Sequence, residues 1–226
     1  MTGSRQPTRV WDLPTRLFHW VLAGCAVGSV VTAKIGGNAM EWHLRLGYIV
    51  FTLLAFRLVW GLVGGRWSRF ASFLYSPGAL MRYVRGQSRH EEHHEVGHSP
   101  LGALSVFGLL GMLALQVATG LVADDEIATT GPLIQFVSGR TSLVATAWHK
   151  GWGQGLVIGL ALLHLAAVVY YAMRRGRDLV RPMISGDKAL PPGVPAAADH
   201  AVARALAAAA LTLCAAGVAW VVSLGG

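Results

Sequence analysis

Charge is scarce in this chain: 13% of its 226 residues are charged, against 54% hydrophobic. Soluble domains carry about a quarter charged residues, so this composition excludes an ordinary soluble fold. Cysteine is scarcer still, with only Cys25 and Cys214, both in apolar runs and in no Cys-x-x-Cys pattern. That excludes a disulfide framework and a covalent c-type haem attachment, and leaves both as small packing residues. Acidic residues are nearly missing from the apolar runs and no inverted repeat is visible, which argues against a transporter. The net charge of +8 invites a nucleic-acid reading. The basic residues stand instead in connections beside the apolar runs, a pattern of membrane orientation, and no nucleic-acid partner is expected.

What the chain has is length in its apolar runs: 17–33, 43–64, 101–123, 151–173 and 201–224 can each cross a bilayer. No small-residue cleavage site follows the first, so it reads as a span and not as a signal peptide. Arg5, Arg9 and Arg16 precede it, and Arg66, Arg69, Arg82, Arg85 and Arg89 follow the second run. Asp124, Asp125 and Glu126 follow the third, and Arg174, Arg175, Arg177, Arg181 and Lys188 the fourth. Basic connections alternate with neutral or acidic ones, which places the amino terminus inside and, after five crossings, the carboxyl terminus outside. The last run is Ala-rich, follows Pro191, Pro192 and Pro195, and holds no histidine. Its small residues suit close packing on a neighbouring helix, in a homodimer or a larger complex. The expected organisation is an all-α transmembrane four-helix bundle over 8–188, a Pro/Ala-rich linker over 189–200, and one additional carboxyl-terminal transmembrane helix over 201–224.

Histidines inside apolar runs are costly and call for a partner. His149 and His164 share the fourth run, about 22 Å apart at 1.5 Å per residue. With the orientation above, His43 matches His149 in depth on the outer side, and His19 matches His164 on the inner side. Each pair joins two different helices, as two bis-histidine haems in a bundle core require. Tetrahedral zinc wants four ligands, usually with cysteine, and fits less well. Gly151, Gly153, Gly155 and Gly159 leave room for a flat macrocycle beside the fourth helix, or for ordinary close packing. Candidate partners for haem propionates are Arg16 and Arg57 inside and Arg45 and Lys150 outside. His98 is left over on the inner side, as a hydrogen-bonded interfacial residue or a proton-transfer group.

The ordered set Arg16-Leu-Phe-His19-Trp20, Phe56-Arg57-Leu-Val-Trp60, Gly97-His98-Ser-Pro100-Leu, Trp148-His149, Leu163-His164 and Pro182-Met-Ile-Ser-Gly186 resembles the bacterial cytochrome b561 family. The hydrogenase-type di-haem cytochrome b subunits are the nearest branch. The resemblance covers about residues 8 to 188. It implies a di-haem four-helix bundle with two non-covalent b-type haems on His19, His43, His149 and His164. It further implies electron transfer between a periplasmic partner, a c-type cytochrome or a nickel–iron hydrogenase, and membrane quinone. A quinone pocket is implied near His98 and Ser99. The fifth run and the His/Glu-rich stretch 87–95 depart from the family pattern.

Two other classes compete. His90-Glu-Glu-His-His94 matches His-Glu-x-x-His, the pattern of a zinc metalloprotease. A cofactor-free membrane anchor explains five spans but not the depth-matched histidines.

Overall fold

The computed structural model describes residues 5–87 and 96–225. Among the described residues five helical segments are long and apolar enough to cross a membrane: α1 (Leu13–Ile35), α2 (Ala39–Val63), α4 (Pro100–Leu121), the stretch Gly139–Arg175 and α8 (Ala201–Ser223). Between α2 and α4 lies the short helix α3 (Pro77–Val84), whose start is set by Ser76 accepting from the Ala79 amide at 3.3 Å, with proline in its first turn. The spans expected at 17–33, 43–64, 101–123 and 201–224 coincide with α1, α2, α4 and α8 to within a turn or so.

The fourth span is longer than its apolar run. Helix α5 (Gly139–Trp148) leads through a π-type turn at His149–Gly153, kinked at Gly151, into α6 (Gln154–Arg175), and together they occupy 37 residues. The run 151–173 therefore marks only its second half. The first half was illegible because, besides Ala145, its buried positions are polar: Ser142 and Thr146 are nearly inaccessible. Thr146 Oγ1 donates to the Ser142 carbonyl at 2.8 Å and accepts the Asp124 amide at 2.9 Å. Ser138 caps this helix by accepting the Thr141 amide.

The chain divides into two compact units, 1–17 with 57–107 and 164–208, and 18–56 with 108–163 and 209–226. In the first, strand β1 (Gln6–Arg9) pairs antiparallel with β2 (Asp187–Leu190), Gln6 opposite Leu190 and Arg9 opposite Asp187. Val10, Trp11, Val96 and Leu190 form a buried cluster with Trp67, Met183 and Val194 packed on it. Helix α7 (Val180–Ser185) stops at Gly186, whose φ of 92° and close approach to the Trp11 carbonyl, 2.7 Å from where a Cβ would stand, admit only glycine comfortably. The Gly186 carbonyl in turn accepts the Val10 and Trp11 amides at 2.9 and 3.0 Å. The proline-rich stretch is packed here: Ala197 donates its amide to the Arg9 carbonyl at 2.7 Å, and Trp67 Nε1 donates to the Pro195 carbonyl at 2.9 Å.

A buried polar knot closes this unit. Asp12, fully inaccessible, caps α1 through the Thr15 amide at 2.8 Å and accepts from Ser68 Oγ at 2.8 Å and Trp60 Nε1 at 3.2 Å. Asp199, just before α8, accepts from Arg9, Arg204 and the Leu13 amide at 2.6, 3.0 and 3.1 Å. Burial pushes its carboxyl up, but these donors and the charges of Arg204 and Arg9 outweigh that and hold it below the usual carboxylate range.

In the second unit Cys25, Val50 and Leu54 are buried together, with Leu22, Leu46, Leu110, Leu113 and Val117 against them. Both cysteines are free thiols and behave as packing residues. The acidic connection is a built turn. Asp125 Oδ1 accepts the Ile127, Ala128 and Thr129 amides at 2.8–2.9 Å, and Glu126 carries a positive φ of 58°. Those amides, that of Thr129 foremost, hold the Asp125 carboxyl far below its ordinary range.

Candidate functional site

His43 enters from the first turns of α2 and His149 from the start of the π turn. Their ring centres are 5.9 Å apart with planes at 86°. Each ring is held at Nδ1 by a backbone carbonyl: His43 by Ser29 at 2.9 Å, His149 by Gln116 at 2.9 Å. A carbonyl can only accept, so both imidazoles donate from Nδ1, which frees Nε2 to act as the ligand atom of a neutral ring. Metal-binding histidines are oriented in this way, the far nitrogen tied to a backbone carbonyl or carboxylate. Two axial nitrogens about 2 Å from a shared metal put ring centres about 6 Å apart, which is the spacing seen. The residues fit a bis-histidine iron.

The neighbourhood is cut to this pair. A Cβ on Gly120 of α4 would stand 2.9 Å from His149 Cε1. Thr119 Oγ1 lies 3.3 Å from His149 Nδ1. Of the glycines expected to clear space, Gly151, Gly155 and Gly159 have nothing within 4 Å of a built Cβ, whereas Gly153 is packed on Gln116 and Trp148. Ser29, Gln116, Thr119 and Gly120 were not expected from the sequence. One signal was available: Gln116 is the one side-chain amide in a strongly apolar span, and such a group needs a partner.

The remaining candidates fall in separate surroundings. His19, in the second unit, meets Trp20 edge-on at 5.0 Å. His164, in the first, has Nδ1 3.4 Å from Ser105 Oγ. Arg57 is 3% exposed, lies 4.5 Å over the Phe70 ring, and has an Nη1 without a hydrogen-bond partner among the described residues. A buried guanidinium with an unfilled donor points to an anion. Arg16 gives Nη1 to the Ile184 carbonyl and sets Nη2 3.9 Å from Asp199, leaving Nε without a partner among the described residues. Arg45 is exposed, paired with Glu41 one helical turn away and stacked 5.1 Å from Trp42. Lys150 is exposed in the π turn. His98 lies between Trp11 and Phe73, 4.7 and 4.5 Å from their ring centres, and its carbonyl accepts from Tyr75 Oη at 2.7 Å. Ser99 Oγ accepts the Gly102 amide at 3.2 Å at the start of α4. His90–His94 lie outside the described residues, and among the described residues no cluster of three metal-binding side chains occurs.

Residues 10–186 match the sequence model of the prokaryotic cytochrome b561 family. The chain belongs to this family. The expected resemblance is thereby met, and the protein is a multi-pass membrane cytochrome of the b type whose cofactor is b-type haem. Helix α8 lies beyond the family match. A probable Ni/Fe-hydrogenase 1 B-type cytochrome subunit of Escherichia coli (strain K12) is 24% identical over 198 residues, covering 73% of this chain and 82% of its own. Probable Ni/Fe-hydrogenase B-type cytochrome subunits of Bradyrhizobium diazoefficiens and Rhodobacter capsulatus are each 22% identical, covering 81% of this chain and 87% and 82% of theirs. No solved structure matches the chain. Membership of a b-type cytochrome family disfavours the zinc-protease and cofactor-free-anchor readings.

Proposed function

We propose that this cytochrome b561 protein carries electrons across the membrane between a periplasmic nickel–iron hydrogenase and the quinone pool. It would use two b-type haems, one held by His43 with His149 and one by His19 with His164. The observation that carries the reading is the pair of Nδ1–carbonyl bonds at 2.9 Å on His43 and His149, which present two neutral Nε2 ligands at the right spacing. The hydrogenase partner is favoured over a c-type cytochrome by the names of the relatives in three organisms.

Haem held by two imidazoles would supply one-electron transfer. The protein's own residues do the rest. Ser29 and Gln116 orient the ligand rings, and Thr119 and Gly120 hold the space around His149. Arg57 supplies a buried positive charge toward a propionate, with Arg16 Nε as a second donor. His98, between Trp11 and Phe73, is the candidate to pass a proton to or from quinone, with Ser99 beside it. The alternation of basic and acidic connections supports a cytoplasmic amino terminus and a periplasmic carboxyl terminus, with the His43–His149 pair on the outer side.

The test is haem per chain by pyridine haemochrome, in the wild type and in four single His→Ala variants at positions 19, 43, 149 and 164. Two haems in the wild type and one in each variant support the assignment. One haem in the wild type breaks the two-site arrangement. Retention of two haems in any variant removes that histidine from the ligand set. If His98→Gln instead loses a haem, the inner site is mispaired.

A further inference from the structure

The π turn that begins at His149 disrupts the helix ladder where a ligand is proposed, and Gln116 of α4 meets that disruption at two points. Gly151, inside the turn, has φ −100° and ψ −105°, outside the helical region. A π turn shifts the i−4 register and alters which backbone carbonyls find a helical partner. Gln116 Nε2 donates to the carbonyl of His149 at 3.1 Å, while the Gln116 carbonyl accepts the imidazole Nδ1–H at 2.9 Å. One residue thus grips the histidine's main chain with its side chain and the histidine's side chain with its main chain.

Two glycines admit the grip. Gly120, four residues on from Gln116, leaves room for the imidazole, since a Cβ there would stand 2.9 Å from His149 Cε1. Gly153, four residues on from His149 and buried, leaves room for the Gln116 amide, whose Oε1 occupies the place a Cβ would take. Gln116 and Gly120, four apart, share a face of α4, and across from it His149 and Gly153 bracket the turn, so that each glycine clears space for a side chain of the facing segment. Gln116 Oε1 is buried without a hydrogen-bond partner among the described residues. Leaving a buried amide oxygen unsatisfied is costly, so the Nε2 contact with His149 is retained against a penalty on the other side of the same amide.

We propose that Gln116 is a positioning residue: its side-chain amide fixes the π turn and so the rotation of the His149 ring relative to His43, while its backbone carbonyl sets the tautomer. The proposal rests on His43 and His149 being haem ligands. The two functions separate on substitution, because Gln116→Met removes the amide and keeps the carbonyl.

The ferric spectrum reads the consequence directly. If both rings bind iron at their 86° angle, near-perpendicular planes would leave two iron d orbitals close in energy and give a highly anisotropic low-spin signal. A ring freed to rotate splits those orbitals and narrows the signal. The experiment is electron paramagnetic resonance and potentiometric titration of purified, haem-loaded Gln116→Met and Gly153→Ala, with haem per chain measured on the same samples. The expected result is two haems per chain, one ferric signal and its midpoint potential shifted, and the other unchanged, in both variants. Loss of one haem with the other signal intact also supports the role. Two unchanged signals in both variants, or loss of both haems together as a general packing defect would cause, overturn it. A wild type without haem would instead refute the ligand assignment itself.

Discussion

Replacing Asp12 tests the polar knot that anchors α1 and the end of α2. Its carboxylate is inaccessible and accepts three hydrogen bonds, from the Thr15 amide, Ser68 Oγ and Trp60 Nε1, and it is an electrostatic partner of the buried Arg57. Asp12→Ala removes a helix cap, at about 1 kcal/mol. It also leaves the Trp60 N–H and the Ser68 hydroxyl short of a partner, at about 1–3 kcal/mol each. The total of about 3–7 kcal/mol spans the cost of about 3–5 kcal/mol for removing one member of a buried charge pair. Asp12→Asn keeps an acceptor for Thr15 and Trp60 and a polar contact for Ser68, so its cost is the charge alone, about 1.5–3 kcal/mol. The assay is equilibrium unfolding of the detergent-solubilised protein in a denaturing-detergent titration, followed by tryptophan fluorescence. The expected order is wild type, then Asp12→Asn, then Asp12→Ala. Equal stability of the two variants, or both within about 0.5 kcal/mol of wild type as for ordinary surface changes, would refute the reasoning.

Asp199 gives a pH dependence of known sign. Its carboxyl is held low in the folded state, so the stability it contributes is complete above its unfolded value near 3.8 and is lost as pH falls through the lower folded value. Asp199→Asn should therefore flatten the acid limb of the unfolding curve while leaving the shape of the neutral limb unchanged; an unaltered acid limb would count against it. Gly120→Val places bulk against the His149 ring and should reduce haem content toward one per chain, whereas Gly217→Ala, in α8 with nothing within 4 Å of a built Cβ, should leave it at the wild-type value; a pyridine haemochrome assay of both variants decides. Arg57→Gln removes a buried positive charge and should lower the midpoint potential of one haem, since oxidised iron is the more positive state. Two unchanged potentials would show that Arg57 faces no haem.

How much was legible in the sequence follows from the range of each force. Hydrophobic length is local, so the five spans and the all-α membrane class could be read directly from runs such as 43–64 and 201–224. The histidine pairing rested on helix rise and charge alternation, both one-dimensional, and it named His43 and His149 together before their rings were seen 5.9 Å apart. The first half of the fourth helix was missed because Ser142 and Thr146 are buried polar residues, and no hydropathy pattern shows that the Thr146 hydroxyl is satisfied by the Ser142 carbonyl and the Asp124 amide. The role of the 189–200 stretch was hidden for a similar reason. Asp199 and Ala197 gain their meaning from Arg9 and Leu13, about 190 residues away in the chain, and pairing at that separation leaves no periodic trace.

Residue types and their spacing alone determined that this chain lies in a membrane and carries histidines at two depths. Tertiary structure alone decided which nitrogen of His43 and His149 carries the proton, that Gln116 holds His149 through a π turn, and that Arg57 keeps an unfilled donor in a buried setting. The physical reason is directionality. Burial sums over a segment and survives in composition, whereas a hydrogen bond depends on ångström-scale distance and angle between groups brought together by the fold.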